Sequence, residues 1–326
     1  MISREPSSID SSIQQLLRTW ERQLDPRHPE RGYPSARVLG YGEISTVLAL
    51  EHPLLEEYAI KRMPMFRNMD EVRQYLALHE SYLHHLRDRG IRIPDTFPVV
   101  VERPNREFSI YILQKRLPSH TIGHKLLHTL SLAEAIRLIE RVLESTARVL
   151  AANATDEHVA LGFDAQMSNW SVANLTDTAR LPLDIDLLYF DTSTPLMQVD
   201  GIERLKPDLF LRSAPSFLVP IIRLFFLKDV MTRYYDLRQV ILDILANFYK
   251  EKREDWIPDM IRVVNKWLDT HPELGVPPYT EQEVRSYYRE DAFIWRFYLA
   301  ARKLDRRLHQ VLGKDYPYIL PDKIER

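Results

Sequence analysis

The chain has 326 residues, 28% of them charged and 45% in the hydrophobic set, the balance of a folded globular protein with length for roughly two domains or one two-lobed unit. A formal net charge of −2 and a pI near 6.6 supply no global basic field toward nucleic acid or an anionic membrane. The absence of cysteine excludes disulfides, thiolate metal sites and a cysteine nucleophile.

Residues 1–24 are polar and charged where a signal peptide would be apolar. The greasiest run, 217–227, is broken by Pro220 and Arg223 and is too short to span a bilayer, so a cytoplasmic protein is expected. Ile9, Ile13, Leu16, Leu17, Trp20 and Leu24 recur at near-helical spacing. They predict an amphipathic helix over 8–24 that packs on the domain C-terminal to it or meets a partner, with the Pro-rich, charged stretch 25–34 ending it.

Residues 35–61 read as strand, glycine turn, strand, turn, strand. Gly40 and Gly42 let a hairpin fold tightly and bring its amides close to phosphate oxygens, although a lone GxG also makes an ordinary turn. The third strand ends Tyr58-Ala59-Ile60-Lys61.

A helix is predicted over 70–89 with Val72, Leu76, Leu83 and Leu86 as its apolar stripe, and Glu80 lies on that stripe. A carboxylate on a buried face needs a cation to meet it; the alternative is a partly exposed Glu80 at the stripe's edge. His79, His84 and His85 read as surface or boundary residues. Two strands come next over 96–117, ending in Gln114-Lys115-Arg116-Leu117. His120, His124 and His128 are spaced by four, yet Gly123 interrupts them and no HExxH pattern is present, which argues against zinc. Ser131 and Glu134 form a capping box that opens a long helix.

The stretch Gly162 to Val172 places Asp164 and Asn169 in a loop before an apolar strand, and a second strand, 187–190, ends on Asp191. Enzymes that move the γ-phosphate of ATP need such a set: one carboxylate for the acceptor hydroxyl, and an amide oxygen plus a second carboxylate for Mg²⁺. Taken alone the pattern is weak, because Asp and Asn are common at strand ends. Beyond Asp191 helices are predicted near 217–235, 236–250, 257–269 and 281–311, with aromatics such as Trp267 and Trp295 serving the core first and a substrate pocket second.

GxG, AIK, a helical Glu, a hinge strand, a long helix, DxxxxN, a strand and Asp occur once each in this order. In that order they resemble the protein-kinase-like superfamily, closest in pattern to aminoglycoside phosphotransferases and related small-molecule kinases. The resemblance covers roughly residues 35–195. It implies an α+β bilobal fold, with an antiparallel β N-lobe crossed by one helix and a larger helical C-lobe. The parts would be an N-terminal helix and linker (1–34), a nucleotide-binding N-lobe (35–117) and a C-lobe (118–326).

It further implies ATP and Mg²⁺ as cofactors and an unidentified acceptor as partner; from the charge balance and the short apolar run, neither nucleic acid nor membrane is expected. Gly40, Gly42, Ser45, Val47, Ala59 and Lys61 would surround the nucleotide, with Gln114, Lys115 and Leu117 at the hinge. Glu80 would hold Lys61, Asp164 would serve the acceptor, and Asn169 and Asp191 would bind metal. Ser45 replaces the family's third loop glycine, Gly162 stands where the family has His, and Thr192-Ser193 come after Asp191 where Phe-Gly is usual. The expected function is phosphotransfer to a hydroxyl-bearing small molecule or specialised substrate. The alternatives are a catalytically silent kinase-fold protein that binds a nucleotide or partner, and nucleotidyl transfer from the same fold.

Overall fold

The computed structural model describes residues 11–42, 44–176, 180–215, 217–222 and 232–321. Ile9, Glu43, residues 177–179 and most of the expected helix 217–235 lie outside them.

Five strands, β1 (Ala36–Tyr41), β2 (Thr46–Leu50), β3 (Tyr58–Phe66), β4 (Thr96–Glu102) and β5 (Phe108–Lys115), form a sheet in the order β1-β2-β3-β5-β4. Every neighbour in it is antiparallel. Successive residues of a strand face opposite sides, so Ile60 and Arg62 of β3 serve one face while Lys61 and Met63 serve the other. Helix α1 (Ser11–Gln23) covers the first face, packing Ile13, Leu17 and Trp20 with Leu48, Ile60, Val99 and Tyr111. Helix α2 (Met69–Asp88) covers the second and is capped by Asn68, whose side chain accepts from the Glu71 amide. With both faces covered, β3 is buried along nearly its whole length.

Helices dominate after β5. Among the described residues they are α3 (Gly123–Leu126), α4 (Leu132–Ala151), α5 (Pro207–Leu211), α6 (Val219–Ile221), α7 (Leu237–Lys250), α8 (Ile257–Asp269) and α9 (Glu281–Val311). Ser131 and Glu134 form the expected capping box on α4. One apolar core runs from the α2 face of the sheet through α4, α7 and α8.

Two small antiparallel sheets lie among the helices. One joins β6 (Val159–Leu161), β9 (Met197–Val199) and β10 (Ile202–Glu203); the other pairs β7 (Trp170–Val172) with β8 (Leu187–Tyr189). The first is not legible in the sequence, because strands of two or three residues carry too little alternation to read. The result is a mixed α/β chain in which an antiparallel sheet precedes a helical C-terminal part. After α9 the chain returns to the sheet, where Arg62 donates to the Pro317 carbonyl at 2.7 Å and Thr46 to that of Ile319 at 3.3 Å.

Candidate functional site

The floor of the site is aromatic. Phe163, Trp170 and Tyr189 pack ring to ring at centroid distances of 4.6 to 5.7 Å, and the Trp170 indole donates to the Ala165 carbonyl at 3.2 Å. This cluster locks the loop before β7 to the end of β8. The loop is also tied from outside, by Gly162 N to Leu196 O at 2.9 Å and Phe163 N to Tyr234 O at 2.8 Å. At Gly162 a Cβ atom would come within 2.8 Å of the Leu196 Cβ and 3.1 Å of the Tyr235 ring. The crowding accounts for glycine there: a histidine has no room.

Asn169 is buried, and its Nδ2 donates to the Asp164 carbonyl at 3.0 Å, which leaves Oδ1 as an acceptor met by Ser168 Oγ at 3.3 Å. Phe190 N donates to the Asn169 carbonyl at 3.0 Å, bringing the residue after β8 beside the loop. Asp191 then meets Lys61 from β3, Nζ to Oδ1, at 2.5 Å, and Ser193 Oγ donates to the same oxygen at 3.1 Å. Burial pushes the Asp191 carboxyl up, but the Lys61 ammonium and the Ser193 hydrogen bonds outweigh it and hold the group below the usual carboxylate range.

Asp164 behaves in the opposite way. Burial, followed by the nearby Asp243 and Asp191 carboxylates, pushes it up to about 7, against the single hydrogen bond it receives from the Gln166 amide at 3.3 Å. Its carboxyl opens on a narrow crevice lined by Arg233, Tyr234, Gln239, Asp243 and Tyr287. Asp243 comes from α7 and is itself raised by burial, while Arg233 pulls it down. Neither Asp243 nor Arg233 stands out in the sequence reading. Asp243 interrupts an otherwise apolar helix, 240–246, and a lone carboxylate in such a run is the available signal.

The expected partner of Lys61 is not the one found. Glu80 is exposed, because the buried face of α2 is set by Val72, Tyr75, Leu78, His79, Tyr82, Leu83 and Leu86. Tyr75 and Tyr82 turn that face away from Leu76 and carry Glu80 out to solvent. His79, expected at the surface or a boundary, is 2% exposed, stacks on Tyr75 and lies 3.4 Å from Thr192 Oγ1. Burial, and next the Lys61 charge, push its imidazole down to about 4. The helix is fastened to the site by Tyr75 OH to Ser193 O at 2.8 Å and Tyr82 OH to Gly162 O at 2.9 Å. Its ion-paired glutamate is Glu71, held by both Arg212 nitrogens at 2.6 and 2.8 Å.

The glycine hairpin lies at the β1–β2 end of the sheet. Gly42 N donates to Ser45 O at 2.9 Å, and a Cβ on Gly42 would approach Ser45 Oγ to 3.0 Å, whereas one on Gly40 would meet nothing within 4 Å. A side chain at 42 would therefore need the Ser45 hydroxyl to shift, whereas 40 has open space for one. Val47 is in register with Lys61, and Ala59 with Gln114, whose amide donates to Thr96 Oγ1 at 3.1 Å. Lys115 is exposed and Leu117 half-buried. Lys61, Asp164, Asn169 and Asp191 are thus brought together, and Glu80 is left out. Among the described residues no three His, Cys, Asp or Glu side chains form a metal site of their own.

The chain belongs to the family described as "Family of unknown function (DUF6206)", whose profile matches residues 25–306. No curated protein matches the sequence. A solved structure described as "WaaP in complex with acyl carrier protein" is similar at 13% identity and a TM-score of 0.31, covering 74% of this chain and 89% of that one.

Proposed function

We propose that the chain is an ATP- and Mg²⁺-dependent phosphotransferase of protein-kinase-like, bilobal build, acting on a hydroxyl-bearing small molecule or specialised substrate. The observation that carries this reading is the Lys61–Asp191 contact of 2.5 Å, which joins the sheet to the strand-end carboxylates of the helical part. The boundary between lobes falls at 117/118, with residues 1–34 as an added helix and linker, and the reaction is assigned to the cytoplasm.

The donor set suits the cofactors. Asn169 Oδ1 and the Asp191 carboxylate are oxygen ligands of the kind Mg²⁺ takes, and Lys61 is the cation that a nucleotide's phosphates would draw away from Asp191. When bound, MgATP supplies the transferable phosphoryl group and the charge neutralisation that lets it move. Asp164, raised to about 7, accepts the acceptor's hydroxyl proton as the new O–P bond forms and the bond to the leaving ADP breaks. The hairpin amides around Gly42 and the side chains of Ser45, Val47 and Ala59 frame the nucleotide, with Gln114 to Leu117 along its edge.

Incubation with MgATP and a broad panel of hydroxyl acceptors, with products identified by mass, tests the reading. Phosphorylated product is expected, and its absence across the panel contradicts it. A second reading, a silent nucleotide- or partner-binding protein, is favoured by one observation: α2 sends Glu80 to solvent and offers Lys61 a neutral His79. Nucleotide binding without turnover supports that reading, and an adenylylated product points to nucleotidyl transfer.

A further inference from the structure

Two donors meet one oxygen of Asp191: Lys61 Nζ at 2.5 Å and Ser193 Oγ at 3.1 Å, both on Oδ1. They come from different places. Lys61 belongs to β3, whereas Ser193 stands two residues after the carboxylate it serves. A serine hydroxyl carries one hydrogen, so giving it to Asp191 settles the direction of that hydroxyl. Donation to a carboxylate is stronger than donation to a neutral acceptor, and two donors on one oxygen restrict rotation of the carboxylate about its last bond.

Ser193 is itself held, and by α2. Its carbonyl accepts from Tyr75 OH at 2.8 Å, while the same phenol lies 3.5 Å from the sulfur of Met63, a weaker acceptor on the strand that carries Lys61. Beside it, Thr192 Oγ1 lies 3.4 Å from His79 Nε2, about one turn further along α2, where the His79 ring stacks on Tyr75. Tyr75, His79, Thr192 and Ser193 are each between 1% and 4% exposed. Polar groups at that depth need partners, and the ones found here lie on α2 to one side and at Asp191 to the other. Packing alone does not call for a hydroxyl at 193: an alanine would fill nearly the same space without reaching the carboxylate.

We propose that Ser193 is a positioning residue for Asp191, and that α2, through Tyr75, sets where that carboxylate stands. The helix then acts on the site through a hydroxyl and a carbonyl, in the place where the sequence pattern suggests a Glu80–Lys61 pair. The proposal rests on the phosphotransferase reading for the metal that Asp191 would hold, but not for the link between α2 and Asp191.

Ser193→Ala and Tyr75→Phe test it, each removing one hydroxyl and little else. ATP binding is measured calorimetrically over a range of Mg²⁺ concentrations that includes none. Ser193→Ala should raise the Mg²⁺ concentration for half-maximal binding by roughly 10–100-fold, the cost of losing a partner of a metal-ligating carboxylate, and leave metal-free ATP affinity unchanged. Tyr75→Phe should move the same quantity in the same direction by less. In the ligand-free chain, amide hydrogen exchange over 190–194 should quicken in both variants, while exchange over β1 and β2 keeps the parent's rate. Equal loss of ATP affinity with and without Mg²⁺ would make Ser193 part of the packing only and overturn the proposal. So would unchanged metal dependence in Ser193→Ala, or unchanged exchange over 190–194 in Tyr75→Phe. A parent that binds no nucleotide contradicts the phosphotransferase reading instead, and the exchange measurement then decides the link by itself.

Discussion

Lys61 Nζ lies 2.5 Å from Asp191 Oδ1, and the carboxylate neutralises an ammonium that is nearly buried. The pair spans the sheet and the helical part. Lys61→Met keeps most of the buried stem and removes the ammonium. Under the proposed function, turnover falls by roughly 10²–10³, the range found when one charge-stabilising donor is deleted. The Asp191 carboxyl, having lost its main stabilising cation, rises. Steady-state turnover and carboxyl NMR titration read the two effects, and unchanged turnover removes Lys61 from the mechanism.

On α2 the two neighbouring residues exchange the importance that the sequence pattern suggests. His79→Ala opens a void beneath Tyr75 and is expected to cost about 2 kcal/mol of stability. Glu80→Gln, on an exposed side chain, should stay within about 0.5 kcal/mol and leave activity intact. Denaturant melts decide the matter, and a larger loss in Glu80→Gln contradicts this register of the helix.

Asp164 makes the protein sensitive to pH near neutrality. Its folded carboxyl is raised to about 7, so the folded state holds a proton that the unfolded chain releases near pH 4. The stability this proton confers is full below about pH 4 and is lost as pH rises through about 7. Asp164→Asn removes this dependence, and its melting temperature should change less between about pH 5 and 8 than that of the parent. If Asp164 is the base, turnover of the parent rises across the same window, and Asp243→Asn moves that rise to lower pH by removing a neighbouring negative charge. An unshifted profile in Asp243→Asn contradicts the charge coupling.

Behind the sheet, Glu21 of α1 and Arg62 of β3 form a buried ion pair at 2.5 Å, with Ser109 at 3.1 Å and the Tyr111 hydroxyl completing the carboxylate's partners. Glu21→Ala strands the guanidinium and should cost about 3–5 kcal/mol, whereas Glu21→Met with Arg62→Met should cost far less. Chemical denaturation of the single and double variants checks this, and equal losses would mean that the pair itself contributes the stability.

Strong periodicity and caps make much of the fold legible: α1, the capping box on α4, and the helices near 237–250, 257–269 and 281–311. The strand bearing Lys61 and the strands beside Asn169 and Asp191 are legible because residue types at strand ends punctuate the pattern. The register of α2 is not, because Tyr75 and Tyr82 bury as apolar bodies while bonding through their hydroxyls, so the aliphatic residues alone point to the wrong face. Asp243 and Arg233 are hidden for a different reason. They reach Asp164 from segments far away in sequence, and no local pattern encodes a meeting made by tertiary packing.

The most direct measurement of the central claim is calorimetric titration of ATP with and without Mg²⁺ on the parent, Asp191→Asn and Asp164→Asn, with turnover measured on the same preparations. The account predicts Mg²⁺-dependent binding that weakens in Asp191→Asn and persists in Asp164→Asn, and turnover lost in the first and reduced roughly 10²–10⁴-fold in the second. Binding that ignores Mg²⁺ and Asp191→Asn alike, with no turnover in any form, would contradict it.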